Sequence, residues 1–367
     1  NEPENWAKVF KYVPISTYLT YRVTGELKDC ASNAAGHYPI DFKRKQWYKK
    51  PEKHLTGQIF GITRDLLPEL VKEGEKIGEI TKQAAEETGL PEGLPFYAGG
   101  SDKSCETLGL GVIDEKHGAV SFGTASTIET TCTKYHESEP FLPGYPAATA
   151  GYYNMDIQIY RGFWMISWFL KEIAHQSKEN EPASIKYYDE HINDVPPGSD
   201  GLVLQPYWGP GLSRPLAKGA MVGFSDVITR EHVYRAIIEG INYALREGLE
   251  HFEKVLHHKI PELRVSGGGS KSNEVCQITA DIFNRPVSRV QTNETCSLGA
   301  AIACFIAIGE YKTTEEAVKE MVRVKDTFVP NPENAEKYDH LFKIYLTMFP
   351  TLSKTYAKIK RFNQKYL

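Results

Sequence analysis

The chain has 367 residues, 41% of them hydrophobic and 25% charged, so we expect a globular protein of two domains. Its formal net charge of −4 argues against nucleic acid or an anionic membrane as the main partner, and its longest apolar run, residues 300–308, is too short to cross a bilayer. The six cysteines include no C-x-x-C pair, which argues against a disulfide framework or a zinc site and favours reduced thiols in the cytoplasm.

The N-terminal part of the chain is predicted to be mostly helical. Residues 6–21 carry apolar side chains on one side of a helix, and residues 66–71 and 79–88 fit two shorter helices. Gly89 is expected to end the last of these, because glycine readily takes the left-handed conformation at a helix C-terminus.

Asp102 follows a short apolar strand, residues 94–98, and precedes a helix predicted over residues 104–110. A carboxylate at this position is a good helix N-cap. It is equally well placed for catalysis, because the carboxyl ends of strands in α/β sheets face the ligand crevice. The local sequence does not choose between these two roles.

A β-hairpin is predicted soon after a domain boundary near Asp114. Two β-rich runs, residues 119–122 and 126–131, flank Gly123 and Thr124. Three hydroxyl groups near this tip could donate to phosphate oxygens, those of Thr124, Ser126 and Thr127. Glycine and threonine are also common in ordinary turns, and the residues alone favour that interpretation.

A long helix is predicted over residues 230–256, with Thr229 as its cap and a continuous apolar stripe along one face. Gly240 and Gly248 interrupt this helix, and we expect them to let a neighbouring element approach closely. Before this helix the sequence predicts two strands, at residues 158–160 and 202–204. It also predicts an aromatic-rich helix at residues 162–173 and a polar, exposed segment at residues 175–182.

Three consecutive glycines, Gly267, Gly268 and Gly269, follow a short extended run. A backbone without Cβ atoms can take positive φ and let a ligand lie against it, and a helix N-terminus next to it favours an anion. The stretch can therefore be a nucleotide cradle or a tight turn without a ligand, and the glycines alone favour the turn. It is not a Walker A loop, because Ser270 stands where that motif has glycine before Lys271.

A helix is predicted to follow this stretch, with Ser272 as its N-cap and Asn284 at its C-terminal end. The next strand should occupy residues 287–290. A further helix ends near residue 308 and contains a small-residue face, Gly299 to Ala301, suited to tight packing. Residues 313–367 are predicted to be helical and charged.

Taken together, these segments resemble the FGGY carbohydrate kinases. The matching segments occur in family order and include Ala-Gly-Gly-Ser-Asp, Phe-Gly-Thr-Ala-Ser and Ser-Gly-Gly-Gly-Ser-Lys-Ser. They lie at residues 21–27, 32–34, 98–102, 122–126, 218–223, 236–240, 266–272, 280–281, 285–287 and 298–301. Each segment is weak evidence by itself, whereas the ordered set, spanning most of the chain, is strong.

The resemblance implies an α/β fold of two actin-like ATPase (ribonuclease H-like) domains, residues 1–113 and 114–367, with the active site between them. It implies that Asp102 is the general base that accepts the proton of a sugar or polyol hydroxyl attacking ATP, close to the Mg²⁺ bound to that nucleotide. The residues that it implies for nucleotide binding are Gly123, Thr124, Gly267, Gly268, Gly269, Ser272 and Gln277.

The sequence also departs from the family pattern. We find no Asp-x-Gly-Thr phosphate loop before Asp102, and the chain begins at Asn1 rather than Met. We therefore expect a chain that lacks the first part of its first domain, leaving an incomplete sheet with an exposed edge. The alternative function is an inactive fragment or a nucleotide-dependent binding module of the same fold.

Lys103 is a second departure, since glutamine, asparagine or a small residue is commoner after the catalytic-type aspartate. Its charge could contact phosphate. The resemblance further implies a cytoplasmic sugar kinase, with xylulose as one example of a substrate. We also consider a homodimer, because dimers are the common oligomers of soluble proteins.

Overall fold

The computed structural model describes residues 2–34, 36, 38–140, 142–174, 184–209, 211 and 213–366. The segment 175–182, predicted to be polar and exposed, lies outside these residues. The first group of elements consists of α1 Pro3–Trp6, α2 Ile15–Thr24, β1 Lys28–Cys30, β2 Ile40–Asp41, β3 Gln46–Trp47, α3 Leu55–Phe60, β4 Glu69–Val71, β5 Lys76–Glu79, α4 Lys82–Thr88, β6 Pro95–Tyr97 and α5 Asp102–Gly109.

Strands in this first group pair two by two. β1 runs parallel to β4, whereas β2 pairs with β3 and β5 with β6 in antiparallel fashion. A small core lies between them, in which Ile40, Trp47, Ile62 and Leu67 are buried. The group is therefore more strand-rich than the sequence predicted.

Two helix predictions in this group were wrong in part. Residues 66–71 contain Pro68, which lacks a backbone N–H and disfavours helix in the residue before it, and the chain forms β4 there instead. The predicted helix over 79–88 begins only at Lys82, where the side chain of Thr81 accepts a hydrogen bond from the Ala84 N–H at 3.2 Å. Its end is confirmed, because Gly89 is left-handed with φ +78°.

Residues 6–21, predicted as one helix, divide between the end of α1 and most of α2. Pro14 precedes α2 with an extended ψ of 158°, so the residues before it do not join the helix.

A seven-stranded sheet organises the second group, in the order β15-β14-β13-β7-β8-β10-β9. β13 lies parallel to both β7 and β14, and the other neighbours are antiparallel. The elements are β7 His117–Phe122, β8 Ser126–Cys132, β9 Tyr145–Pro146, β10 Tyr153–Ile159, α6 Trp164–Glu172, α7 Ile185–His191, β11 Val203–Gln205, β12 Ala220–Val222, α8 Arg230–Leu256, β13 Glu262–Ser266, α9 Asn273–Phe283, β14 Val287–Val290, α10 Thr295–Ala307, α11 Thr314–Met321, β15 Val324–Phe328 and α12 Pro332–Tyr366.

The long helix α8 lies against this sheet and has the predicted bounds. Its apolar stripe is buried, with Ile237, Ile241 and Leu249 fully inaccessible to solvent. Gly240 and Gly248 do allow close approach: a Cβ at Gly248 would lie 2.9 Å from the Ile128 side chain, and one at Gly240 would lie 2.5 Å from the Leu204 carbonyl oxygen. The predicted hairpin, β7 and β8, is also confirmed.

The strand–glycine–helix unit was predicted closely. Ser272 caps α9, accepting a hydrogen bond from the Val275 N–H at 3.3 Å, and Asn284 ends it in the left-handed conformation with φ 50°. β14 occupies residues 287–290 as expected. The C-terminal segment contains β15 between its helices, a strand that the sequence analysis missed. No helix in the described ranges is both long and apolar enough to span a membrane.

Helices α5 and α10 cross with their backbones in contact, and this crossing joins the two groups. A Cβ at Gly299 would overlap the carbonyl oxygen of Cys105, and one at Gly109 would overlap that of Thr295. The expected tight packing is confirmed at Gly299, whereas Ala300 is exposed. The helix that begins with Asp102 is thus fixed to the second group.

We expect Gly299→Ala to lower the free energy of unfolding by at least about 1 kcal/mol, because the new methyl group has no space between the two helices. Urea unfolding measures this. Gly211→Ala is the matched control, since a Cβ there has no neighbour within 4 Å and the backbone φ is ordinary. Equal stability of the two variants would contradict the packing described for α5 and α10.

Candidate functional site

The glycine stretch after β13 and the hairpin tip after β7 lie side by side, because β7 and β13 are neighbouring parallel strands. Gly267 takes φ +79°, and a Cβ there would lie 2.8 Å from the Phe122 carbonyl oxygen. Only glycine fits this contact without strain. At Gly268, by contrast, the nearest atom to a Cβ would be the Phe122 oxygen at 4.0 Å. Gly267 therefore serves the turn, and Gly268 borders open space.

A cavity of about 610 Å³ opens above these two loops. Five of the residues predicted to bind nucleotide line it, namely Gly123, Thr124, Gly268, Gly269 and Ser272. Thr124 is exposed at its edge, whereas Ser126 and Thr127 are buried, so their hydroxyls do not reach the cavity. The structure thus brings together the hairpin tip, the glycine stretch and the start of α9.

Gln277 lies apart from this cavity. Its amide donates to Asp281 Oδ1 at 2.8 Å and to the Val329 carbonyl at 2.9 Å. It borders a different groove, together with Asn273, Asp281 and Asn334. Gln277 and Gly267 are therefore the two predicted nucleotide-binding residues that do not line the cavity, although Gly267 belongs to the adjoining turn.

Several cavity residues were missed by the sequence analysis. The Tyr234 hydroxyl donates to Asp189 Oδ1 at 2.7 Å, and burial raises the pKa of the Asp189 carboxyl above its ordinary value. Trp164 and Ile185 add apolar surface. Tyr234 and Asp189 are 45 residues apart in sequence, and no local motif links them. Their apolar neighbours give the cavity a wall against which a flat ring could pack.

Asp102 is the first residue of α5 and is exposed. Ser101 is the N-cap, since its hydroxyl accepts a hydrogen bond from the Ser104 N–H at 3.2 Å. The N-cap alternative for Asp102 was therefore wrong by one residue. Its Oδ1 accepts from the Lys103 N–H at 2.8 Å, and the Cys296 thiol donates to its carbonyl oxygen at 3.3 Å. The carboxylate is thus free of a strong cationic partner among the described residues.

The partly exposed Lys103 side chain places its ammonium group against the buried carboxylate of Glu106. Its Nζ donates to Glu106 Oε2 at 2.6 Å and to Ser121 Oγ at 3.1 Å. Burial opposes its charge, but the carboxylates of Glu129 and Glu106 outweigh burial and raise the pKa of Lys103. In this structure, Lys103 forms an ion pair within the protein, with Glu106.

Glu129 and Asp156 face each other directly across β8 and β10. Opposite side chains in antiparallel strands lie about 5 Å apart, so two charges there would repel. Thr107 and Thr127 donate to the Glu129 carboxylate at 2.6 and 2.9 Å, while Asp156 Oδ1 is buried without a hydrogen-bond partner. Burial, followed by the nearby Asp156 charge, raises the pKa of Glu129 to about 8.

This raised pKa predicts a pH-dependent stability. The folded protein holds protons on the facing Glu129 and Asp156 carboxyls more tightly than the unfolded chain does, because burial raises the pKa of both. The free energy of unfolding should therefore fall as the pH rises from about 5 to about 8, by up to about 1.4 kcal/mol per pH unit. Urea unfolding across this range should show a flatter dependence for Glu129→Gln, whose side chain cannot ionise. Glu190→Gln, at an exposed position on α7, should behave like the parent chain.

A metal held only by protein side chains does not fit this site. The residues that the structure describes contain no group of three or more His, Cys, Asp or Glu side chains that could hold a metal ion. A single exposed carboxylate such as Asp102 fits a different kind of site, in which a divalent ion binds together with a nucleotide and keeps much of its hydration shell.

Comparison with protein families gives two matches in sequence order. Residues 1–109 match the N-terminal domain of the FGGY family of carbohydrate kinases, and residues 118–308 match its C-terminal domain. The first match does not support the expectation that the first domain lacks its beginning.

Individual relatives agree with this family. The chain is 33% identical over 336 residues to the uncharacterized sugar kinase YgcE of Escherichia coli, covering 89% of this chain and 67% of that protein. It is 29% identical over 371 residues to the xylulose kinase of Lactococcus lactis, covering 100% of this chain and 72% of that protein.

Solved structures agree in fold. The xylulose kinase of Rhodospirillum rubrum has a TM-score of 0.83 at 26% identity, covering 97% of this chain and 71% of that one. The xylulose kinase of Lactobacillus acidophilus has a TM-score of 0.85 at 24% identity, with 98% and 71% covered. The two-domain α/β fold is that of carbohydrate kinases, and the relatives indicate a sugar phosphotransferase. With both domain models matched in order, this chain belongs to the FGGY family of carbohydrate kinases.

Proposed function

We propose that this protein transfers the γ-phosphoryl group of ATP to a hydroxyl group of a sugar or polyol, with Asp102 as the general base. One observation carries the proposal: the helix that begins with Asp102 is bonded, through Lys103 and Glu106, to the strand ends that lead into both cavity loops. An exposed carboxylate on a helix that is bonded to the strands leading into a nucleotide-sized cavity supports this reaction.

Each part of the site has a role in this proposal. Asp102 accepts the proton of the attacking hydroxyl group. The backbone N–H groups and hydroxyls around Thr124 and Gly268 hold phosphate oxygens, and the cavity wall near Trp164 and Tyr234 holds the nucleobase. Mg²⁺, bound to the phosphate oxygens and to water, would supply charge neutralisation, with Asp102 nearby. Positioning and neutralised charge provide most of the catalysis in phosphoryl transfer.

The remaining assignments rest on the family. A boundary between residues 113 and 114 would lie between the two matched ranges, 1–109 and 118–308. A ketose such as xylulose is the first substrate to test, since several relatives are xylulose kinases, while others are L-fuculokinases. A cytoplasmic location and a homodimer stay predictions from the sequence.

A second candidate is a nucleotide-dependent binding module without catalysis. It follows from the same cavity, which can hold a nucleotide whether or not a sugar is phosphorylated. Both candidates require a formed nucleotide cavity. They differ in whether ATP is consumed when a sugar is present.

Two measurements on the same sample separate these candidates. Isothermal titration calorimetry with Mg-ADP tests the cavity, and ADP release from Mg-ATP in the presence of xylulose, fuculose, gluconate or glycerol tests catalysis. Sugar-dependent ADP release supports the kinase. Mg-ADP binding without any sugar-dependent release supports the binding module. A folded chain that does not bind Mg-ADP would contradict both.

A further inference from the structure

The Glu106 carboxylate connects three elements of the fold. It lies on α5 and is 7% exposed. Its Oε1 accepts hydrogen bonds from Ser121 Oγ at 2.8 Å and from Ser266 Oγ at 2.5 Å, and its Oε2 accepts from Lys103 Nζ at 2.6 Å. Lys103 also donates to Ser121, so the ion pair and the two hydroxyls form one network.

The two serines occupy equivalent places at the ends of the two central strands. Ser121 and Ser266 face each other in the register of β7 and β13. Ser121 lies two residues before Gly123, and Ser266 lies directly before Gly267. A single carboxylate oxygen, Glu106 Oε1, therefore accepts hydrogen bonds from the ends of both strands that lead into the cavity loops.

The same helix face carries Asp102 and Glu106. They are four residues apart on α5, which places them one turn apart on one side of the helix. A rigid helix turn thus separates the exposed carboxylate from the carboxylate that holds both loops. Lys103, between them in sequence, supplies the opposite charge that lets Glu106 remain ionised in a buried place. Its ion pair and the serine hydroxyls lower the Glu106 pKa even though burial opposes this.

We propose that Glu106, together with Lys103, is a positioning residue that fixes the hairpin loop and the glycine loop relative to Asp102. This inference rests on the proposed function, because the distance it fixes is that between the base and the nucleotide phosphates. Displacement of reacting groups by about 1 Å can cost on the order of 100-fold in rate. A helix that holds both loops through one side chain limits such displacement.

Glu106→Ala removes the acceptor for both serines and is the first variant to test. We expect the dissociation constant for Mg-ADP to rise about 10-fold, because two loops that are no longer held must be ordered by the ligand. Under the proposed function, kcat should fall by a further factor of about 10 while KM for the sugar stays constant. Thermal unfolding reports whether the variant is folded at the titration temperature.

Glu253→Ala is the matched control. Glu253 is 6% exposed and also pairs with a lysine, Lys259, at 2.7 Å, so the two substitutions remove similar buried carboxylates. It lies at the opposite end of the sheet, since it bonds to Ile260 and Arg285, which precede β13 and β14. A general loss of stability would affect both variants, whereas the positioning role predicts weaker Mg-ADP binding for Glu106→Ala alone.

A second set of variants keeps the test decisive if Glu106→Ala does not fold. Ser121→Ala with Ser266→Ala removes only two hydroxyl groups and should weaken Mg-ADP binding several-fold. The double variant Lys103→Gln/Glu106→Gln replaces the ion pair with two amides that can still hydrogen-bond to each other. Its Mg-ADP dissociation constant should lie within about 3-fold of the parent value, whereas each single substitution should raise that constant by more. The proposal would be overturned if the folded serine variant bound Mg-ADP as tightly as the parent. It would also be overturned if the losses of Mg-ADP affinity from the two glutamine substitutions simply added in the double variant.

The proposed function can fail independently of this inference. A parent chain that binds Mg-ADP but releases none from Mg-ATP with any sugar contradicts the kinase, and the affinity measurements still decide the role of Glu106. A parent chain that phosphorylates a sugar, together with a folded Glu106→Ala variant of equal affinity and kcat, confirms the kinase and refutes the positioning role.

Discussion

Asp102→Asn should lower the rate of sugar phosphorylation by about 10²- to 10⁴-fold, because asparagine cannot accept the proton of the attacking hydroxyl group. Asparagine has nearly the same shape and can still accept the Lys103 N–H hydrogen bond, so α5 should form normally. The Mg-ADP dissociation constant should change little, since the cavity residues are untouched. Initial rates of ADP release and calorimetric titration measure the two quantities.

Asp65→Asn is the control for this substitution. Asp65 is another exposed carboxylate of the first group, in a short helical turn over residues 64–66. Its loss should leave the rate within a factor of about 2 of the parent. Normal turnover by Asp102→Asn would refute the assignment of Asp102 as the general base, whereas equal losses in both variants would point to an effect of charge alone.

Gly268→Asp is expected to weaken Mg-ADP binding by at least about 100-fold. A Cβ at this position has no neighbour closer than 4.0 Å and the backbone φ is ordinary, so the side chain enters the cavity without disturbing the turn. Its volume and negative charge then compete with the phosphate groups. The unfolding temperature should stay within about 2 °C of the parent, since the loop itself needs no adjustment.

Gly211→Asp matches this change at a position that does not line the cavity. It introduces the same side chain where a Cβ also has open space, and it should leave Mg-ADP affinity unchanged. If Gly268→Asp binds Mg-ADP as the parent does, the nucleotide phosphates lie elsewhere. Loss of affinity in both variants would instead indicate a long-range electrostatic effect.

The elements predicted best are those whose limits depend on local chemistry. Ser272 and Asn284 set the ends of α9 through a side-chain cap and a left-handed residue, and both signals lie within the helix sequence itself. The long helix α8 was also found with its bounds, because twenty-seven residues of apolar periodicity leave few alternatives.

Some of the predictions that failed needed contacts between distant segments, whereas others missed a local signal such as Pro68. β15 is a mostly exposed strand without strong alternation, and it pairs with β14 at the edge of the sheet. Asp102 was placed at a helix start, but the choice of Ser101 as the cap depends on backbone geometry at one residue. The bond between Ser266 and Glu106 spans 160 residues, so no window of sequence could have revealed it.

The contact between Gly109 and Gly299 has a consequence for motion. Helices whose backbones touch resist sliding along each other, so α5 is held against α10 and, through Glu106, against the ends of β7 and β13. Asp102 therefore travels with the half of the molecule that holds the nucleotide cavity, although its sequence falls within the N-terminal family match. Under the proposed function, the base and the loops that would hold the phosphate groups belong to one connected unit of the fold, and α5 sets their separation before any ligand binds.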